Sequence, residues 1–174
     1  MVQNFADEYR RWRVLGEKAI AQTPDAALNR VPTPDGNSVA MIVRHVGGNL
    51  ASRFTNFRTD DGEKPWRERD EEFVTRDYTR AEVHEWWARG FDVLEREVAA
   101  LTEADAERTV TIRGVPLTVH QALCRSLAHV SMHVGQIVLL ARVHAGDGWQ
   151  TLSIPKGGSN AYNQNPTKEK VPAK

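Results

Sequence analysis

The sequence has one cysteine, Cys124, so no internal disulfide can form. That fits a reducing cytoplasm. It has no excess of either charge: Lys plus Arg and Asp plus Glu are 23 each, which gives no electrostatic reason to expect a nucleic-acid or membrane-surface partner. No uninterrupted apolar run approaches the roughly 18 residues of a membrane span. The first twenty residues carry Asp7, Glu8, Arg10, Arg11 and Arg13 in place of the apolar core of a signal peptide. Internal repeats and low-complexity segments are also absent. What remains is a chain of 174 residues, 40% hydrophobic and 26% charged, a composition and length that suit one soluble domain with a real core.

The periodicity is helical. Phe5, Tyr9, Trp12, Leu15, Ala19 and Ile20 recur at spacings of three and four and predict a helix over 3–22. Pro24, Pro32 and Pro34 end the pattern, and Asp35-Gly36-Asn37 is turn chemistry. A second helix is predicted over 38–57, with Val39, Ile42, Val46, Leu50, Phe54 and Phe57 on one stripe. Its Gly47-Gly48 pair lowers helix propensity by about 1 kcal/mol per residue and suggests a close approach to the backbone. Residues 58–78 form a long polar connection broken by Pro65, of the kind that covers a cleft, with Trp66 and Phe73 as candidate anchors. A capping box, Thr79 with Glu82, opens a third helix whose buried face is Val83, Trp86, Trp87, Leu94, Val98 and Leu101. Residues 108–117 alternate around Arg113-Gly114 and predict a short hairpin. A second capping box, Thr118 with Gln121, opens a fourth helix that runs to about Gly146. One helical turn is expected near 159–163, and the last ten residues are expected to fray. Four long amphipathic helices predict an all-α fold: a four-helix bundle, with a short β-hairpin before the last long helix. The domain is expected to span 1–158, leaving 159–174 as a tail.

His129 and His133 stand at i and i+4, which places both imidazoles on one helix face. The residues between them include no Glu, so the His-Glu-x-x-His protease chemistry is excluded. Six histidines in this length produce on the order of 0.2 such pairs by chance, and two polar residues on a solvated flank explain the spacing as well as a metal does. Wheel geometry adds weight to the metal. The pair lies roughly 80–120° from the centre of the apolar stripe, on a face shared with Ala122, Ser126, Gln136 and Leu140. On the second helix His45, Asn49, Ser52 and Asn56 form a matching stripe of short or uncharged polar groups. Two such flanks facing each other would make a polar cleft between helices, where bundles build metal sites. His144 is about 16 Å further along the helix, His120 is on the opposite side, and His84 is a flank residue of the third helix. Cys124, beside Leu123 and Leu127, reads as a small buried hydrophobe.

The segment His129-Val130-Ser131-Met132-His133-Val134-Gly135-Gln136 resembles the His-x-x-x-His-x-Gly-Gln signature of the DinB-like (YfiT-like) superfamily. Arg44-His45-Val46-Gly47-Gly48-Asn49-Leu50 matches the place of that family's third histidine. Segments 59–66 and 153–157 look like an uncharacterised branch of it. Members of that superfamily are dimeric four-helix bundles, many of them candidate metalloenzymes. The resemblance implies that His45, His129 and His133 are metal ligands for zinc, nickel or another divalent ion. It also implies a homodimer, and a substrate that includes a low-molecular-weight thiol in some relatives and a hydrolysable small molecule in others.

Three imidazoles on a divalent ion leave an open position. Such a site acidifies a bound water to about pKa 7 or deprotonates a thiol, so it supports hydrolysis and thiolate transfer alike. Asn49, one turn beyond His45, and Gln136, three residues after His133, are candidates to orient the ligands. Arg53 and Arg125 are candidates to hold an anion near the open position; an ordinary surface or inter-subunit ion pair explains them as well. Glu82, Glu85 and Asp92 offer no convincing carboxylate base, Glu82 being a cap. A non-catalytic metal-binding or stress-associated dimer, and a binding module that uses no metal, are the competing readings. Some of the five tryptophans are expected either in the core or at a dimer interface.

Overall fold

Four amphipathic helices form close to where the periodicity places them: α1 (Val2–Gln22), α2 (Val39–Phe54), α3 (Arg80–Ala99) and α4 (Val119–Ala145). These elements come from a computed structural model of the chain, which describes residues 2–172. Both capping boxes are present, Thr79 with Glu82 and Thr118 with Gln121, so the first free amides of α3 and α4 are satisfied locally. Ser38 caps α2 by accepting from the Met41 amide at 3.2 Å. The hairpin is β1 (Thr109–Ile112) and β2 (Val115–Thr118), antiparallel with Ile112 opposite Val115. Arg113 at φ 55° and Gly114 at φ 72° make the two-residue left-handed turn that matches strand twist. A short α5 (Ser159–Gln164) follows the bundle.

The core is continuous. Tyr9, Ile20, Leu50, Phe54, Trp87, Phe91, Leu94, Leu123 and Ile137 are all essentially inaccessible. Helix α2 packs against α3 and α4, and α1 packs against the same two. Directions follow from cross-links between the helices. The Tyr9 hydroxyl donates to the Leu123 carbonyl and the Gln22 amide to Gln150, so α1 and α4 run parallel. The Arg80 guanidinium, at the start of α3, donates to the Ile20 carbonyl near the end of α1, so those two are antiparallel. Phe54 at the end of α2 packs on Tyr9, which puts α2 parallel to α3. Neighbouring parallel helices cannot be joined by a tight loop, so the chain must cross back over the bundle's length.

Residues 55–79 are that crossover. Its first part is tied to the hairpin. The Gly62 amide donates to the Thr111 carbonyl at 2.8 Å, and the Asp61 carboxylate accepts the Arg113 and Gly114 amides, each at 2.7 Å. It then runs past the middle of α2 as a short 3₁₀ turn, Asp70–Phe73, and reaches Tyr78 at the far end, which both accepts from and donates to Asn29.

Two glycines set the α2–α3 spacing. A Cβ on Gly47 would stand 2.3 Å from the Trp86 carbonyl oxygen, and one on Gly90 would stand 2.7 Å from the Gly47 Cα.

Two expectations need correction. Cys124 is exposed, with its sulfur 3.6 Å from His120 Nε2, because it lies about 100° round the helix from buried Leu123. The tail is tied down up to Lys170. Arg11 donates to the carbonyls of Lys168, Glu169 and Lys170, and the Tyr162 hydroxyl accepts the Thr167 amide at 3.0 Å. Residues 173–174 of the expected frayed end lie outside the described residues. By length and composition alone α4 would reach across a membrane, but His120, Arg125, His129 and His133 interrupt it, so the absence of an uninterrupted apolar run stands. One side of α4 supplies bundle core, while its outer side carries exposed Met132, Leu139 and Val143. Of the tryptophans, Trp87 is buried, Trp12, Trp86 and Trp149 pack against the core, and Trp66 is exposed.

Candidate metal centre

The antiparallel contact of α2 and α4 brings the three histidines together. His45 Nε2 and His129 Nε2 are 3.1 Å apart, and one ligand nitrogen from each of His45, His129 and His133 falls within 4.8 Å of the others. Nitrogens bonded to one tetrahedral ion at about 2.0–2.1 Å are separated by about 3.3 Å, so the spacing suits a shared metal. His45 is buried and the other two are half-buried.

The tautomers follow from the outer hydrogen bonds. His45 Nδ1 donates to Glu72 Oε2 at 2.8 Å, and His133 Nδ1 donates to Gln136 Oε1 at 2.8 Å. Each bond consumes the ring proton at Nδ1 and leaves Nε2 as a bare lone pair, the form a metal requires. His129 Nδ1 is buried and has no partner among the described residues. Burial pushes the His129 pKa down to about 3, with the neighbouring imidazoles and then Arg67 and Arg53 adding to the effect. Burial also lowers the His133 pKa, against the opposing pull of Gln136. Both rings are therefore neutral at physiological pH. Neutral imidazoles with free nitrogens at this spacing fit a divalent transition metal as ligands.

Glu72 is the residue that inspection of the sequence missed. It is only 5% exposed, and besides His45 it accepts Arg67 Nε at 2.8 Å and Arg67 Nη2 at 2.9 Å. Burial alone would raise its pKa; the hydrogen bonds from His45 and Arg67 outweigh burial and hold it below the ordinary glutamate value. The Phe73 ring lies 4.7 Å from the His45 ring and closes this side. A Cβ on Gly48 would be 2.3 Å from Glu72 Oε1, so α2 makes room for the carboxylate by omitting a side chain. That glycine, three residues after His45, was the available signal.

The chain matches a family model over residues 1–158, described as protein of unknown function, DUF1572. It belongs to the DUF1572 family. No curated protein matches it. The matched region of this DUF1572 chain contains all four long helices, the histidine cluster and Glu72.

Of the four expected supporting residues, Gln136 bonds a ligand ring. Asn49, Arg53 and Arg125 instead line a cavity of about 700 Å³ that opens beside His45 and His129. Arg53 also pairs with Glu63 at 3.1 Å and donates to the Gly62 carbonyl. His84, His120 and His144 stand outside the cluster.

Proposed function

We propose that this DUF1572 chain binds one divalent transition metal, zinc or nickel, through His45, His129 and His133, and acts as a metal-dependent enzyme on a small molecule. The reading rests on one observation: three imidazoles converge, and Glu72 and Gln136 each bond the Nδ1 side of one of them, leaving its Nε2 toward the cluster. It places the chain with the DinB-like superfamily, on the ligand motif and the bundle together. A divalent ion held by three nitrogens supplies Lewis acidity to a water or to a thiol, so the reaction class is small-molecule hydrolysis or thiol-dependent transfer.

The chain's own residues do the rest. Glu72, fixed by Arg67, orients His45. Gln136 orients His133. The cavity beside His45 and His129 receives the substrate. The same reading includes a cytoplasmic location and a homodimer, for which exposed Met132, Leu139 and Val143 on α4 provide an apolar face.

The test is metal content of untagged protein. Wild type is expected to hold about one equivalent, and His45→Ala and His133→Ala little or none. Equal, negligible metal in all three proteins overturns the proposal. Full metal with no turnover on thiol–electrophile, ester or amide panels would instead leave a non-catalytic metal-binding protein.

A further inference from the structure

The cavity beside the histidines has an unusual charge. Among the described residues five arginines line it, Arg53, Arg67, Arg69, Arg113 and Arg125, and no aspartate or glutamate does. The whole chain is balanced at 23 basic and 23 acidic residues, so the concentration is local. Most of it is compensated from behind. Arg67 is paired with Glu72, while Arg53 and Arg113 share Glu63 at 3.1 and 2.8 Å. Arg69 stands 3.5 Å from Asp70, both of them well exposed. Arg125 is different: among the described residues it has no ion pair and no hydrogen-bond partner, and it lies one helical turn before His129 on the same face.

Beside the two histidines, Asn49 and Ser126, the cavity has an apolar wall that includes Phe54, Phe57, Ile112 and Met132. At about 700 Å³ the space is of ordinary size for a small-molecule site. A neutral ligand would leave this positive field unanswered, and an inorganic ion would leave the apolar wall unused.

We propose that the cavity takes a small organic anion, a carboxylate or phosphate monoester on an apolar body, and that Arg125 holds its charge. This rests on the metal-site reading for its meaning as a substrate, since it sets the anion one turn from His129. Arg53 and Arg113, already shared with Glu63, supply background field, and Arg125 makes the charge-assisted hydrogen bond.

The test is calorimetric titration of the full chain, zinc-loaded and again after chelation, with 4-phenylbutanoate, phenyl phosphate and the neutral 4-phenylbutanamide. At least one anion is expected to bind about tenfold or more tightly than the amide. Arg125→Gln should lose about tenfold or more of that affinity with its zinc content unchanged, and Arg125→Lys should recover most of it. The two anions separate carboxylate from phosphate chemistry. Equal binding of amide and anions, no binding of either anion, or wild-type anion affinity in Arg125→Gln overturns the proposal. Arg125-dependent anion binding by a protein that retains no zinc would sink the metal reading and keep this one. Stoichiometric zinc with a silent Arg125→Gln would do the reverse.

Discussion

Glu72 carries more of the candidate site than any residue besides the histidines, and its effects can be separated. Its carboxylate serves two partners, His45 and Arg67, inside the protein. Glu72→Gln keeps the shape and removes the charge. Metal affinity is expected to fall about 10- to 100-fold, as is usual when the partner of a ligating histidine is lost. Arg67, only 2% exposed, would then be a buried unpaired cation, which costs about 3–5 kcal/mol. The double variant Arg67→Met with Glu72→Gln should therefore regain much of the stability while its metal affinity stays low. Denaturant unfolding and competitive metal titration, run on both variants, check this. If the double variant recovers both properties, Glu72 serves Arg67 and not the histidine.

Among the elements, the α2–α3 contact and the crossover make opposite demands on sequence. Helix propensity favours Ala over Gly by about 1 kcal/mol, yet Gly47 faces the Trp86 backbone at a distance no Cβ tolerates. Gly47→Ala is expected to destabilise the fold by about 1–3 kcal/mol, the cost of overpacking outweighing the propensity gain; an increase in the urea midpoint would contradict the close packing. The crossover is held at its other end by Asp61, whose pKa is depressed to about 2 by the Gly114 and Glu63 amides first, with the Arg113 amide and Thr111 adding to them. The unfolded value is about 3.9, so the folded state is the weaker proton binder. The stabilisation is complete above the unfolded value and is lost as pH falls through about 2. Wild type should accordingly lose stability more steeply between pH 4 and 2 than Asp61→Asn. Parallel stability curves for the two proteins would show that the carboxylate contributes nothing there.

For the molecule as a whole, direction of chain travel decides where chemistry can be placed. Because α2 and α3 are parallel neighbours, the 55–79 segment must pass the bundle's flank, and in passing it brings Glu72 and Arg67 to His45. The sequence suggested a loop that covers a cleft, and the segment supplies Arg67 and Arg69 to the wall of the cavity beside the histidines. The outer side of α4 keeps three large apolar residues exposed, with Leu139 at 62% and Val143 at 66%. If two copies pair through it, wild type will elute as a dimer by size-exclusion light scattering and Leu139→Glu as a monomer with unchanged helicity. A monomeric wild type at micromolar concentration would remove the homodimer from the proposed function.

Helix positions, both capping boxes, the hairpin turn and the i, i+4 histidine pair were all readable without coordinates, because each depends on residues one to four apart. The polar stripe of His45, Asn49 and Ser52 was readable too, as a face lacking a partner. What the tertiary structure alone decided was which faces meet and what the long connection carries to them. Glu72 is 27 residues from His45, and their contact depends on helix direction, on the crossover's path and on the missing side chain at Gly48. The same holds for Arg125: its spacing from His129 is local, but its lack of a counter-ion among the described residues reflects where their carboxylates came to rest. Short-range periodicity determines elements; pairing over long sequence separation is settled only when those elements compete for one core.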